Sequence, residues 1–333
     1  MGALEVGAKV GVVSPSDGVR NDRLDMKKSL ARVTEDWGLS VNYAPKLFNQ
    51  VHDFQAGSVT ERQGQLLWLA NMGIGFSFMA EGGYALGQLF SLPDVRRRTM
   101  KLIKRWGGMF MGYSDVGWMA CAALKFEMKS IYGPNFAWLH KWDKVTRDMT
   151  RAMLMENKVW AIGPEFHWTV GMVGGAEGNV IVGNLEVLTS QFRSKKDWLR
   201  RNRDIILCLE ENGSSCAEIT RNLDRLFAHK HADSIKGIVI GRITEVKNDD
   251  YPKYSKHVSL RDEIIGRVRD FSVGRRKIPV AFLDDFGHIG EGYESEYLGL
   301  KKRMVPMIFG AKAELTVSKR EGCSLNYRDP LWK

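Results

Sequence analysis

The 333-residue chain has four cysteines, Cys121, Cys208, Cys216 and Cys323, and no two of them form a CxxC pair. Neither Cys208 nor Cys216 has a histidine at zinc-ligand spacing, so a cysteine zinc site is not expected and free thiols are. No stretch reaches the roughly 18 apolar residues that a membrane span requires. Met1 to Val10 has no basic segment followed by an apolar run, so no secretory signal is expected. Internal repeats and low-complexity segments are also missing. These absences predict a cytoplasmic protein with no membrane segment.

What is present is the composition of a globular chain, 44% hydrophobic and 26% charged, long enough for two modest domains. The formal charge of +10 raises nucleic acid as a partner. The basic residues, however, fall in short scattered clusters such as Arg96-Arg97-Arg98 and Lys301-Lys302-Arg303, with no recognisable nucleic-acid motif. A positive field that draws in anionic substrates fits the same charge. Ten tryptophans exceed what a core of this size needs; burial is the commoner fate of a tryptophan, and pocket lining is the alternative for some of them.

Along the chain, short β-rich runs alternate with helical periodicity. Lys9 to Val13, Leu39 to Tyr43, Ile74 to Met79 and Trp106 to Met111 read as strands. Met26, Leu30, Val33 and Trp37 recur at helical spacing, with Gly38 as the C-cap. Ser58-Val59-Thr60-Glu61 and Ser215-Cys216-Ala217-Glu218 read as capping boxes opening helices. Val116 to Leu124 and Ser259 to Phe271 read as further helices. Asp204 to Leu209, Gly237 to Gly241 and Pro279 to Leu283 read as strands, and Met304 to Val317 as hairpin material. Alternating strands and helices predict an α/β protein with a mostly parallel sheet. The expected division is an α/β domain over 1–150, a linker rich in glycine over 151–195, and a second domain over 196–333.

Three polar residues stand at or just past the ends of expected strands: Ser114, Glu210 and His288. Functional groups of open α/β sheets gather at the carboxyl ends of strands. A serine at a strand-to-helix turn is exposed beside free helical N–H groups, which suits a nucleophile; it equally suits a plain N-cap. Gly112-Tyr113-Ser114-Asp115 is not G-x-S-x-G, since the second glycine is displaced to Gly117. The spacing suggests a Ser-Glu-His triad without establishing one. The histidines His229 and His231, at i and i+2, are not placed to share a metal, and neither a metal nor a cofactor is expected.

Several short blocks, in order over nearly the whole chain, resemble the LD-carboxypeptidase family. This family includes murein tetrapeptide carboxypeptidases and microcin C immunity peptidases. The blocks are Val10 to Ser16, Glu81-Gly82-Gly83-Tyr84, Met111 to Asp115, Tyr132-Gly133-Pro134, Ala176-Glu177-Gly178 with Gly183-Asn184-Leu185, Leu207 to Glu211, and Gly287-His288. The resemblance implies an open α/β N-terminal domain, a barrel-like α/β C-terminal domain, a homodimer, and a site between the domains. It implies Ser114 as nucleophile, His288 as general base and acid, and Glu210 as the carboxylate orienting the imidazole. Glu211 is the alternative if the strand register is off by one. The N–H groups of Gly83 and Asp115 would form an oxyanion hole.

The implied activity is cleavage of the L,D-peptide bond of murein tetrapeptide, or hydrolysis of peptidyl or aminoacyl nucleotides as in self-immunity. Many members have Arg where Glu81 stands, so Glu81 either grips a substrate ammonium or is a surface carboxylate. Tyr132 replaces a histidine found in many murein enzymes and is, with Glu81 and Trp168, a candidate substrate contact. Trp168, beside His167, either stacks on a nucleobase or packs between domains. The charged segment 289–303 is either a lid or a surface loop.

Overall fold

A computed structural model describes residues 2–19, 23–51, 54–192, 197–246, 259–289 and 302–332. The chain forms two compact units. Unit 1 comprises Met1–Lys158 with the later segments Lys302–Gly310 and Pro330–Lys333; unit 2 comprises Val159–Lys301 and Ala311–Asp329.

In unit 1, β1 (Lys9–Val13), β2 (Ser40–Tyr43), β3 (Phe76–Met79), β4 (Met109–Gly112) and β5 (Ser130–Tyr132) form a parallel sheet in the order β5-β4-β3-β1-β2. β3 is wholly buried and β1 nearly so, as expected for parallel strands covered on both faces. Five helices belong to this unit's α/β crossovers: α1 (Arg23–Ala31), α2 (Val59–Asn71), α3 (Gln88–Ser91), α4 (Pro93–Trp106) and α5 (Gly117–Ala123). A sixth, α6 (Lys144–Met155), starts on the Asp143 N-cap. The Ser58 capping box opens α2 as its sequence requires. α4, which apolar spacing alone did not reveal, starts with Pro93 and stops on Gly107 in the left-handed region. Strand order reverses between β1 and β3, and the turns after β1, β3 and β4 all leave the carboxyl edge at or beside that reversal.

Unit 2 contains β6 (Ala161–Ile162), β7 (Trp168–Met172), β8 (Gly174–Asn184), β9 (Ile205–Asn212), β10 (Ile235–Thr244) and β11 (Val280–Leu283). Between them run α7 (Leu185–Thr189), α8 (Cys216–Phe227) and α9 (Leu260–Phe271). After β12 (Met307–Phe309), which returns to pair with β5 in unit 1, the chain adds β13 (Lys312–Ser318) and β14 (Gly322–Tyr327) to unit 2. The sheet order is β6-β14-β13-β8-β9-β10-β11-β7, with a parallel centre of β8 to β11 flanked by antiparallel strands.

Two expectations change. Residues 151–195, read as a linker because glycines break their periodicity, contain the end of α6 and then β6, β7 and β8 of the unit 2 sheet. Met304–Val317 is not a hairpin, because β12 and β13 join different sheets and β13 pairs with β14 instead. Among the described residues the unit 2 sheet is mixed, with β6 and β7 at the ends of its hydrogen-bonded order and β7 also approaching β13 and β14. Residues 290–301 of the expected lid lie outside the described residues. Among the described residues no helix is long and apolar enough to cross a membrane.

Candidate active site

β4 ends at Gly112, and the chain turns through Tyr113 into the one-turn helix Ser114–Val116 and then α5. Ser114 sits at this turn with φ of 67°, in the left-handed region that costs a residue with a side chain about 1–2 kcal/mol. Such strain persists only where the surroundings hold it in place. Here the Ser114 N–H donates to the Tyr132 hydroxyl at 2.9 Å and the Tyr113 N–H to Asn135 Oδ1 at 3.1 Å. Gly82 closes the turn from the β3 side: a Cβ there would lie 2.9 Å from Ser114 Cβ and 3.2 Å from the Tyr113 carbonyl oxygen.

The turn that follows β3 is held from beneath. Asp17 Oδ1 accepts the N–H groups of Tyr84 at 3.0 Å and Ala85 at 3.2 Å, and the Asp17 N–H donates to Gly82 O at 3.1 Å. A Cβ on Gly83, whose φ is 110°, would meet Asp17 Cγ at 2.0 Å, so only glycine fits. Asp115 is buried, and its Oδ2 accepts the Leu86 N–H at 2.7 Å and the Ser16 hydroxyl. Burial pushes the Asp115 carboxyl up to about 7 against the pull of those hydrogen bonds, with the nearby Asp17 charge adding to the rise and Arg62 opposing it. Neither the Gly83 nor the Asp115 N–H donates to another protein group among the described residues.

Glu81, which precedes the two glycines, accepts the indole N–H of Trp138 at 2.7 Å. Trp138 is exposed, and the Lys141 ammonium lies 3.9 Å from its ring centroid. Sequence spacing gave no reason to single out Trp138, because 57 positions separate it from Glu81.

In unit 2, β9 runs on to Asn212, so Glu210 and Glu211 belong to the strand rather than to a loop after it. They have separate partners. Glu210 Oε2 accepts both the backbone N–H of His288 at 3.1 Å and its ring Nδ1–H. A Cβ on Gly287, φ 100°, would lie 2.7 Å from Glu210 Cβ; glycine there lets the His288 turn approach the strand. Burial acts to lower the His288 pKa, but the charge and hydrogen bond of Glu210, with Glu211 and Glu245 behind, outweigh it and the net shift is upward. An imidazole whose Nδ1–H is held by a carboxylate presents Nε2 as its basic nitrogen.

Glu211 points its carboxylate elsewhere. Its Oε1 accepts from Asn184 Nδ2 and the Asn212 N–H, and its Oε2 from the Glu186 N–H, each at 2.9 Å. Burial, reinforced by the Glu210 charge, raises Glu211 to about 7. Trp168 is half-buried at the start of β7, and its indole N–H is used by Gly163 O at 2.8 Å. Beside it, His167 Nδ1 meets Asp285 Oδ2 at 2.9 Å. Among the described residues no three His, Cys, Asp or Glu side chains are grouped to hold a metal.

The family model for the LD-carboxypeptidase N-terminal domain matches residues 10–133, and that for the LD-carboxypeptidase C-terminal domain matches residues 177–315. No curated protein matches the chain. Among solved structures, an MccF-like protein from Bacillus anthracis str. Ames aligns with TM-score 0.79 at 20% identity, covering 98% of each chain. Muramoyltetrapeptide carboxypeptidase from Oxalobacter formigenes aligns with TM-score 0.74 at 21% identity, over 97% of this chain and 99% of that one. A mutant of the microcin C7 self immunity protein MccF, solved in complex with adenosine monophosphate, aligns with TM-score 0.75 at 17% identity, over 99% and 98%. At these identities the likeness is one of fold.

Proposed function

The chain belongs to the LD-carboxypeptidase family of serine peptidases, and from that premise we propose that it hydrolyses an amide bond through Ser114, His288 and Glu210. The observation that carries this reading is the strained left-handed turn at Ser114, maintained by Tyr132, Asn135 and Gly82 at the carboxyl edge of the unit 1 sheet. A serine needing only to cap a helix has no use for that strain.

In the proposed reaction Ser114 Oγ attacks the scissile carbonyl while His288 Nε2 takes its proton. Glu210 fixes the ring tautomer and stabilises the imidazolium as it forms. The carbonyl oxygen becomes an oxyanion and is met by the N–H groups of Gly83 and Asp115. The Ser114 N–H is already engaged by Tyr132, which supports the assignment of Asp115 as the second donor. Collapse of the tetrahedral species breaks the C–N bond, and His288 returns the proton to the leaving amine. Water then repeats the cycle on the acyl-enzyme. Tyr132, expected to contact substrate, serves in this scheme to hold the nucleophile turn.

The proposed substrate is the L,D-peptide bond of murein tetrapeptide, with release of the terminal residue in the cytoplasm. A second reading, hydrolysis of a peptidyl or aminoacyl nucleotide, is favoured by Glu81. Glu81 directly precedes Gly82, which packs against Ser114, and its negative charge would repel a terminal carboxylate but attract a free ammonium. The test is hydrolysis of murein tetrapeptide and of an aspartyl-adenylate analogue by wild type and Ser114→Ala. Release of D-Ala that depends on Ser114 supports the first reading, and cleavage of the nucleotide analogue alone supports the second. Activity retained by Ser114→Ala refutes both. A homodimeric state belongs to the same proposal, and light scattering on the purified protein tests it.

A further inference from the structure

Beneath the turn that follows β3 lies a buried polar group that hydrolysis by Ser114, His288 and Glu210 does not itself require. Asp17, Asp115 and Arg62 are all buried, Arg62 completely. Burying charge is costly unless each group finds partners, and here the partners converge on one backbone segment. Asp17 takes the N–H groups of Tyr84 and Ala85, and Asp115 takes the N–H of Leu86. Arg62 Nη1 donates to the Ala85 carbonyl at 2.7 Å and to the Pro15 carbonyl at 3.2 Å, and its Nη2 to Gln88 Oε1 at 2.6 Å. Ser16 adds its hydroxyl to Asp115, while Ser14 donates its hydroxyl to the Asp17 carbonyl and its N–H to Gln65 Oε1 at 2.6 Å. Three consecutive N–H groups and a carbonyl, all within residues 84–86, are thus held by side chains from the turn after β1, from α2 and from the residue next to Ser114.

We propose that the Asp115 side chain, with Ser16, Asp17 and Arg62, is a positioning device that locks the Gly82–Gly83 turn against the Ser114 turn and so sets the spacing of the two oxyanion donors. The inference rests on the reading of Ser114 as nucleophile. Asp115 contributes its backbone N–H to one donor position, while its carboxyl fixes the segment that carries the other. One residue therefore couples both halves of the hole. The Asp17 carboxylate fills the space that a Cβ on Gly83 would need, so the second carboxylate packs beneath the same glycine. Preorganised donors of this kind contribute to rate only when they are aimed before the charge develops.

The test compares wild type with Asp115→Ala, Asp115→Asn, Ser16→Ala and Ser114→Ala. Amide exchange over residues 82–88 is read by mass spectrometry, and kcat and KM are measured on whichever proposed substrate the wild type cleaves. Asp115→Ala removes the acceptor of the Leu86 N–H, and Ser16→Ala removes a donor that holds that acceptor in place; each is expected to speed exchange of the 84–86 amides by about tenfold, while β4 amides stay protected. They are expected to lower kcat about 10- to 100-fold at unchanged KM. Asp115→Asn keeps an acceptor oxygen and is expected to restore both readouts to within about threefold, a rescue that general loosening would not give. Wild-type exchange in Asp115→Ala overturns the proposal, as does raised exchange with kcat unmoved. If Asp115→Ala does not fold, Ser16→Ala carries the test, and its exchange at the wild-type rate is equally fatal. Activity surviving in Ser114→Ala sinks the nucleophile assignment instead, and the exchange data then still decide whether the carboxyl holds the turn.

Discussion

Substituting Gly82 by alanine adds one methyl group directly against the proposed nucleophile. The new Cβ would lie 2.9 Å from Ser114 Cβ, 3.2 Å from the Tyr113 carbonyl oxygen and 3.4 Å from Asn135 Nδ2. Ordinary carbon contacts begin near 3.5 Å, so Ser114 or the glycine turn must retreat by about 0.6 Å. The Tyr113 oxygen is backbone and cannot swing aside, and Asn135 is fixed by the Tyr113 N–H. A displacement of about 1 Å at reacting groups costs on the order of 100-fold. The shorter shift is therefore expected to lower kcat about 10- to 30-fold. Overpacking should also cost about 1–3 kcal/mol of stability. Gly64→Ala, in the interior of α2 with nothing within 4 Å of its new Cβ, is the control. It should gain up to about 1 kcal/mol with kcat unchanged. Steady-state kinetics and thermal melts of the two variants make the comparison. A Gly82→Ala enzyme with wild-type kcat would refute the claim that this glycine sets the Ser114 turn.

Two further outcomes follow from the carboxylates of β9. His288, as the proposed general base, must be neutral to act, so kcat/KM should rise with pH through a midpoint above the ordinary histidine value of about 6.5. Glu210→Gln should move that midpoint down and cut kcat by about 10³ or more, whereas a midpoint unmoved in the variant would remove Glu210 from the imidazole. Glu211 has a folded-state pKa of about 7, above its unfolded value, so the folded chain holds that proton more tightly. The stability this contributes is complete below about pH 4 and is lost as pH rises through about 7. Chemical denaturation across that window should show Glu211→Gln with a flatter pH dependence than wild type, and equal slopes would refute the assignment.

The alternation of strands and helices, both capping boxes and the Gly38 stop were legible because each is a local signal. A serine that caps its own third residue or a glycine that tolerates φ of 70° is visible within four positions. Ser114, Glu210 and His288 were legible as polar residues at strand ends, and the family blocks sharpened that reading. The choice between Glu210 and Glu211 was not. Adjacent residues of a strand face opposite sides, and β9 is buried on both, so no hydrophobic alternation marks which carboxylate meets His288.

Tertiary structure also decided the fate of the last strands. β12 and β13 are separated by two residues, and nothing local tells one to join the unit 1 sheet and the other the unit 2 sheet. The pairing of Glu81 with Trp138, and of Asp17 and Asp115 with the turn after β3, joins residues dozens of positions apart. The sequence by itself thus determined the capped helices and most of the alternating strands, because those signals depend on neighbours along the chain. Which carboxylate grips the histidine, and which carboxylates hold the turn after β3, depend on strand register and crossover order, and only the folded chain sets those.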